Sequence, residues 1–454
     1  MSNVLGLFDQ TFFVGERITG AAGLLQCVWV YDRDIDIDGL RRFHHHLQRG
    51  RLSRRIERSP LPFARYRWVS AEGRNDLEIA RRRRPREEFA AWLAEQANTA
   101  LDAEHGPEWH LAVVPFTGGG AGVSLLISHC LTDGVGLCQA LADAARGRHD
   151  PINWPPAGSR RRWQALREDI RQTVRDMPAI GRALKAAVAA ARTARRGPGG
   201  TAASTAPLPA RTGPDETITM PTATIFVDAE AWDDRAVSLG GTSNSLLAAV
   251  AARLAQRAGR VAADGSVTVG MPINERTVDD TRANAVGNVD FAVDPVLATT
   301  DLREIRSATK SAILHRDENP DERWEVVPLV PLTPRWLLKR MAGVAAGRAT
   351  GVVASNLGEI DPAAFRPDGT AAGSFAIKSA CPGVTKALMH RAGGMMAVLS
   401  GRVNQQIFIS AAAYQPDRAN SNSDLRSDLT SALSDFSLTG SIGFASAEPV
   451  GSSS

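Results

Sequence analysis

One short stretch holds residue types spaced for chemistry. At 127–136 the chain reads ISHCLTDGVG, so His129 is followed after three residues by Asp133 and Gly134. An unperturbed imidazole titrates at about pH 6.5, and its neutral form accepts a proton near neutrality, as a general base must. Asp133 is placed to orient the ring or to anchor the loop. Gly134 lets the backbone turn sharply and approach a substrate. The stretch leaves an apolar strand (123–128) and enters a helix (135–146), and functional residues concentrate where a loop follows a rigid element. Taken alone, the same residues also read as a histidine beside a turn-forming Asp-Gly. Cys130 is expected to be a buried thiol, because adjacent strand residues face opposite ways. His44, His45 and His46 sit on a predicted helix, where consecutive positions diverge. The chain has no His-Glu-x-x-His, no Walker loop and no Gly-x-Ser-x-Gly, and its four cysteines form no Cys-x-x-Cys. No metal site and no bound cofactor is expected.

The elements that must position His129 follow from periodicity. Residues 24–31 form an apolar strand, and Asp38 is expected to cap a helix burying Leu40, Phe43 and Leu47. A half-buried strand is expected at 61–69 and a helix at 87–101. Strands at 109–116 and 123–128 join through the glycine-rich turn 118–122, read as a hairpin because a strand follows it. One long helical pattern covers 160–196, with Pro178 expected to kink it. Residues 196–216 are rich in Pro, Gly, Ala and Thr without apolar periodicity, and are read as a flexible linker. The second half begins with a strand at 222–227, a helix at 243–258 and a strand at 267–272, then a loop to Asn288. A helix at 302–315, strands at 351–355, 371–379, 395–403 and 406–413, and a helix at 424–436 complete it. Strands and helices mix without strict βαβ alternation, so the fold class is α/β with mixed sheets. Three segments result: 1–195 carrying the histidine, the linker 196–216, and 217–454.

Charge is unevenly distributed. Residues 49–86 hold 13 Arg against four acidic groups, and residues 160–196 hold 11 Arg and Lys against three. The whole chain carries only +4, so the remainder is net acidic. Two basic segments suggest an anionic partner, or simply solvated faces. On 160–196, Trp163, Leu166, Ile170, Val174 and Met177 recur at helical spacing. Such a helix can lie on an anionic membrane. The favoured expectation is that its apolar stripe packs on the N-terminal half, leaving the Arg face solvated. The Arg runs lack interleaved aromatics, so nucleic acid is not an expected partner. No run approaches the ~20 apolar residues of a membrane span, and the N-terminus does not read as a secretory signal. The expected location is the cytoplasm, with peripheral membrane contact as an open alternative, and the expected state is a monomer.

The string HCLTDG resembles the His-x-x-x-Asp-Gly signature of the acyltransferases related to chloramphenicol acetyltransferase. That superfamily includes condensation domains, polyketide-associated acyltransferases and wax ester synthase/diacylglycerol acyltransferases. LGLFDQTFF with IDIDGLRRFHHHL is similar to the N-terminal segment of the wax ester synthase type. VGMPINERT (269–277) resembles the motif that supplies an arginine to the signature aspartate. NAVGNVDF (284–291) and ASNLGEI resemble the family's Gly-Asn strand and its Ser-Asn segment. The resemblance implies two chloramphenicol-acetyltransferase-like subdomains in a V, with a central tunnel and His129 at its middle. It implies that Asp133 pairs with Arg276 and holds the loop rather than acting as an acid. It implies an acyl-CoA or acyl carrier protein thioester as co-substrate. Many relatives have two histidines at the signature start. Here the first is Ser128, and the plant branch's Asp-Phe-Gly-Trp-Gly is absent.

The expected activity is acyl transfer to a hydroxyl, less readily an amine, of a lipid-type acceptor, with His129 as base. Ser355 and Asn356 are candidate oxyanion donors that also read as a structural turn. Asn288 is a candidate that also reads as a loop-fixing amide. The alternatives are a natural-product condensation or tailoring acyltransferase, and a non-catalytic module that binds a carrier protein or lipid on the same fold.

Overall fold

Runs of β-branched and aromatic residues form the strands, and short polar side chains cap the helices between them. The computed structural model describes residues 3–71, 76–148, 152–196, 215–277, 280–318, 327–341, 351–416 and 418–444. The first half comprises α1 (Leu7–Thr19), β1 (Leu24–Tyr31), α2 (Ile37–Leu47), β2 (Arg54–Glu57), β3 (Arg67–Ser70), β4 (Glu78–Ile79), α3 (Phe89–Ala97), β5 (Trp109–Pro115), β6 (Ala121–Ser128), α4 (Gly134–Ala145) and α5 (Arg162–Arg196). The second opens with β7 (Thr222–Asp228), α6 (Ala229–Ser238), α7 (Ser243–Arg257), β8 (Val267–Asn274), β9 (Val286–Val293) and α8 (Arg303–Glu318). It continues with α9 (Arg335–Met341), β10 (Gly351–Glu359), β11 (Ser374–Ala380), α10 (Lys386–Ala392), β12 (Met395–Val403), β13 (Gln406–Tyr414), α11 (Asn422–Ser434) and β14 (Gly440–Gly443).

These strands build two mixed sheets, neither of them a closed barrel. A five-stranded sheet runs β11-β1-β6-β5-β4, a seven-stranded sheet runs β14-β7-β13-β12-β10-β8-β9, and β2-β3 form a ribbon. Most neighbours are antiparallel; β4–β5, β10–β12 and β10–β8 are parallel. The sheets do not divide at the linker, because β11 from the second half is an edge strand of the first sheet. Leu24 of β1 stands opposite Ser128 on one side and Ala380 on the other. Most of the linker lies outside the described residues.

Burial explains why β1 is apolar but for Gln26, whose side-chain amide donates to the Leu93 carbonyl and to Ser124. Leu25, Cys27 and Trp29 face a core shared with α2 and α4, whereas Val28 and Val30 face Phe89, Trp92 and Leu93 of α3. The first core continues across the seam, since Phe226, Leu399 and Phe408 from the second half belong to it. In the second core, α7 buries every residue from Leu246 to Ala252 among β8, β10, β12 and α11, small alanines allowing close approach.

Several expectations are corrected. Asp36, not Asp38, caps α2, its carboxylate accepting from the Asp38 N–H at 3.0 Å. The strand expected at 61–69 shortens to β3, which pairs with β2. The loop expected to reach Asn288 ends earlier, and Asn288 lies within β9 opposite Pro272.

The largest correction is the orientation of α5. Its packed face is the polar one: Asp169 pairs with Arg67 and Arg160, and Asp176 with Arg65. The apolar stripe faces solvent, with Trp163 82% and Val174 63% exposed. The body beneath α5 presents guanidinium groups, and these draw in its carboxylates rather than its apolar side chains. The basic segment 49–86 is partly engaged in the same way, since Arg55 pairs with Glu108 and Arg58 with Glu104.

Candidate functional site

His129 follows the last residue of β6, where the sheet ends against the seam. Its N–H donates to the Gly23 carbonyl at 2.8 Å. The four residues between His129 and α4 form a tight loop, and Asp133 closes it as the α4 cap, with Oδ1 accepting from the Gly136 N–H at 2.6 Å. Its Oδ2 accepts from Arg276 Nη2 at 2.7 Å and from the Ala285 N–H at 2.9 Å. The Asp133 N–H donates to the Ala283 carbonyl at 3.0 Å. Both carboxylate oxygens are thereby committed to holding the loop against the segment that follows β8, and neither bonds to the His129 ring. Arg276 also donates to the carbonyls of Arg282 and Ala283. The pair is buried, with side chains 3% and 4% exposed. Gly134 packs closely against β10: a Cβ there would meet a terminal methyl of Leu357 at 2.6 Å, and that side chain would have to shift.

Helix α1 supplies three residues that the sequence reading did not assign. Asp9, Phe12 and Glu16, spaced by three and four, share one helical face. Asp9 is fully buried and accepts from the N–H groups of Ala283 and Asn284 and from the Asn284 side chain. Asn284 Nδ2 also donates to the His129 carbonyl at 3.0 Å. The Phe12 ring stacks on the His129 ring, centroids 5.5 Å apart and planes 14° from parallel. Glu16 accepts from the Gly23 N–H at 2.9 Å and from Cys130 Sγ at 3.1 Å. From β2, Arg54 clamps both loops, donating to the carbonyls of Leu131 and Thr281 while stacking on Trp68. Burial draws the Arg54 guanidinium down to about 9. Burial also raises Asp9 and Glu16 above the usual carboxylate range, against their hydrogen bonds. Cys130 is fully buried, and desolvation drives its thiol well upward, so it is no nucleophile. A signal for Asp9 did exist: it stands in register with Leu5 and Phe13 on a buried face, an acid where an apolar residue belongs.

The His129 ring makes no hydrogen bond among the described residues, and its Nδ1 is buried without a partner. Stacking on Phe12 and the backbone bonds at either side of His129 hold it in place. The other expected residues contribute differently. Asn356 donates to Asn244 Oδ1 at 2.6 Å and accepts from the Gly358 N–H, so its amide is engaged in its own turn. Ser355 precedes it, half-buried, with no hydrogen bond to its hydroxyl among the described residues. Asn288 donates to Asp290, two residues along β9, and does not fix the histidine loop. A cavity of about 280 Å³ lies on the seam, lined by Val30, Phe89, Phe226, Gln406, Ile442 and Phe444. It sits at the far end of β1 from His129.

Comparison with known proteins agrees with this architecture. Residues 40–225 match the family model of the wax ester synthase/diacylglycerol acyltransferase catalytic domain. A wax ester synthase/diacylglycerol acyltransferase from Marinobacter aquaeolei VT8 superposes with a TM-score of 0.53 at 16% identity, over 96% of this chain and 98% of that one. Polyketide synthase associated protein 5 from Mycobacterium tuberculosis gives 0.52 at 14%, over 95% and 97%. The first condensation domain of the CDA synthetase gives 0.55 at 14%, over 96% and 94%. No curated protein matches the chain by sequence. The resemblance to the chloramphenicol acetyltransferase-like acyltransferases therefore holds in both the sequence model and the fold. The family model supports a function of the acyltransferase type, and the solved structures share the fold.

Proposed function

We propose that the protein transfers an acyl group from a thioester, on CoA or a carrier protein, to the hydroxyl of a lipid-type acceptor, with His129 as general base. One observation carries this reading. Asp133, Arg276, Asn284 and Arg54 all hold the loop, while the imidazole they frame makes no hydrogen bond among the described residues. A rigidly held, unpartnered imidazole at a seam is suited to bond directly to a substrate hydroxyl. In the reaction, the neutral ring accepts the acceptor's O–H proton as its oxygen attacks the thioester carbonyl. The tetrahedral intermediate collapses, the C–S bond breaks, and the imidazolium returns the proton to the leaving thiolate. Such base assistance is typically worth ~10²–10⁴-fold. Ser355 and backbone N–H groups are the candidate oxyanion donors. Arg276 and Asp133 act as support. His129 chemistry of this kind requires no resident metal or cofactor. The matched family model favours a hydroxyl acceptor. The condensation-domain fold supports a carrier-protein donor and a natural-product acceptor as the second reading.

The test is thiol release from a panel of acyl-CoAs, with and without long-chain alcohols or diacylglycerol, for wild type and a folded His129→Ala variant. Alcohol-dependent release, reduced by about 10²-fold or more in the variant, is the expected result. Release unchanged in the variant would remove His129 as the base. Turnover seen only with carrier-bound thioesters would favour the second reading.

A further inference from the structure

We propose that α5 and the collar packed between it and α1 form a docking face for an anionic lipid bilayer. The helix divides into three sectors. Ala165, Asp169, Asp176 and Ala183 face the body. Trp163, Ile170, Val174, Met177, Leu184 and Val188 form a stripe, each between 41% and 82% exposed. At 1.5 Å per residue this stripe is about 37 Å long. Along one flank stand Arg167, Arg171, Arg175, Arg182 and Lys185, all exposed and none ion-paired among the described residues. Every acidic residue of this part of the helix lies away from the stripe, on or beside the packed face. A stripe of large apolar residues with cations along its edge is the pattern of a helix lying in the plane of a membrane interface. Anionic headgroups supply the countercharge that the protein does not.

The neighbouring surface extends the patch. Residues Pro328, Pro331 and Leu332 pack between α1 and α5, sharing a crevice with Leu7, Phe63 and Ile180. Around it Phe63 is 42% exposed, Leu332 43% and Trp336 of α9 69%. A second copy of the chain fits the same face poorly. Two such stripes packed together would bring both sets of unpaired cations along one seam.

Vesicle flotation of the full-length protein tests docking without requiring catalysis, so it is independent of the acyl-transfer reading. Wild type is expected to float with phosphatidylglycerol-containing vesicles and much less with pure phosphatidylcholine, and added salt should weaken the binding. Two triple variants, Trp163→Ser with Ile170→Ser and Met177→Ser, and Arg167→Gln with Arg171→Gln and Arg175→Gln, should each reduce the bound-to-free ratio at least about tenfold. Arg160 is left intact because it pairs with Asp169. Unchanged thermal melting of both variants would show that the fold survives. No flotation by wild type, or equal flotation by wild type and both variants, overturns the proposal. So does a dimer in size-exclusion chromatography that the serine variant converts to monomer without any vesicle binding.

Discussion

At the residue scale, Asp133 caps a helix, neutralises a buried arginine and accepts a backbone N–H across the seam. Removing it leaves Arg276 as an uncompensated buried charge, a change that typically costs ~3–5 kcal/mol. Asp133→Ala should lower the urea-unfolding free energy by that amount, Arg276→Ala comparably, and the double variant by much less than the sum. Phe12 works by position alone. Phe12→Ala should lower kcat by about 10–100-fold while the unfolding midpoint shifts little, since small displacements of a reacting group carry penalties of that order. Equal kcat in the two proteins would show that stacking does not place the ring. The signature residues were legible because their identity and spacing are local. Asp9 showed only as an acid on an otherwise apolar spacing, and its partner Asn284 not at all, because the hydrogen bond between them joins positions 275 apart in sequence.

At the element scale, α2 shows how burial sets a pH response. His44 packs edge-on against Trp109, centroids 5.1 Å apart, and burial pulls its imidazole down to about 4. The folded state thus binds this proton less readily than the unfolded chain, whose imidazole titrates at about 6.5. His44 costs no stability above about pH 6.5, and stability falls as pH drops from there toward 4. Urea midpoints measured across that window should decline, and His44→Gln should flatten the decline at the expense of packing against Trp109. Elements were read from periodicity with uneven success for a physical reason. Strands such as β1 and β6 bury both faces, so their composition alone identifies them. The stripe on α5 was equally visible, but periodicity reports that an apolar face exists and not what it meets. Arg65 and Arg67, from another part of the chain, and Arg160, just ahead of the helix, decide that. Asn288 was misplaced for a related reason: VGNVDFAV reaches its strand state by pairing with β8, since Gly and Asn supply little intrinsic preference.

At the scale of the whole molecule, the two halves are joined through β11, which carries a lysine into the first sheet. Lys378 is half-buried opposite Gln26, without an ion-pair partner among the described residues, and burial lowers it to about 8. The unfolded chain holds that proton until about 10.5. The folded protein therefore binds fewer protons between about pH 8 and 10.5, and its stability rises with pH across that window. Below pH 8 the charged lysine carries its full desolvation penalty. Lys378→Met is expected to stabilise the protein at pH 7 by about 1–3 kcal/mol and to remove the alkaline rise in melting temperature. A variant that keeps that rise would assign it to another group.

The same strand sets a schedule for the protein's birth. β1 and β6 leave the ribosome early, yet the edge of β1 that β11 covers stays unpaired until about 250 further residues are made. At ~5–20 residues per second, that is roughly 10–50 seconds of synthesis with an apolar strand edge exposed. The growing chain must pass this interval either attended by a chaperone or unfolded. Expression should accordingly be more sensitive to chaperone supply and to truncation before residue 374 than the stability of the finished molecule would suggest.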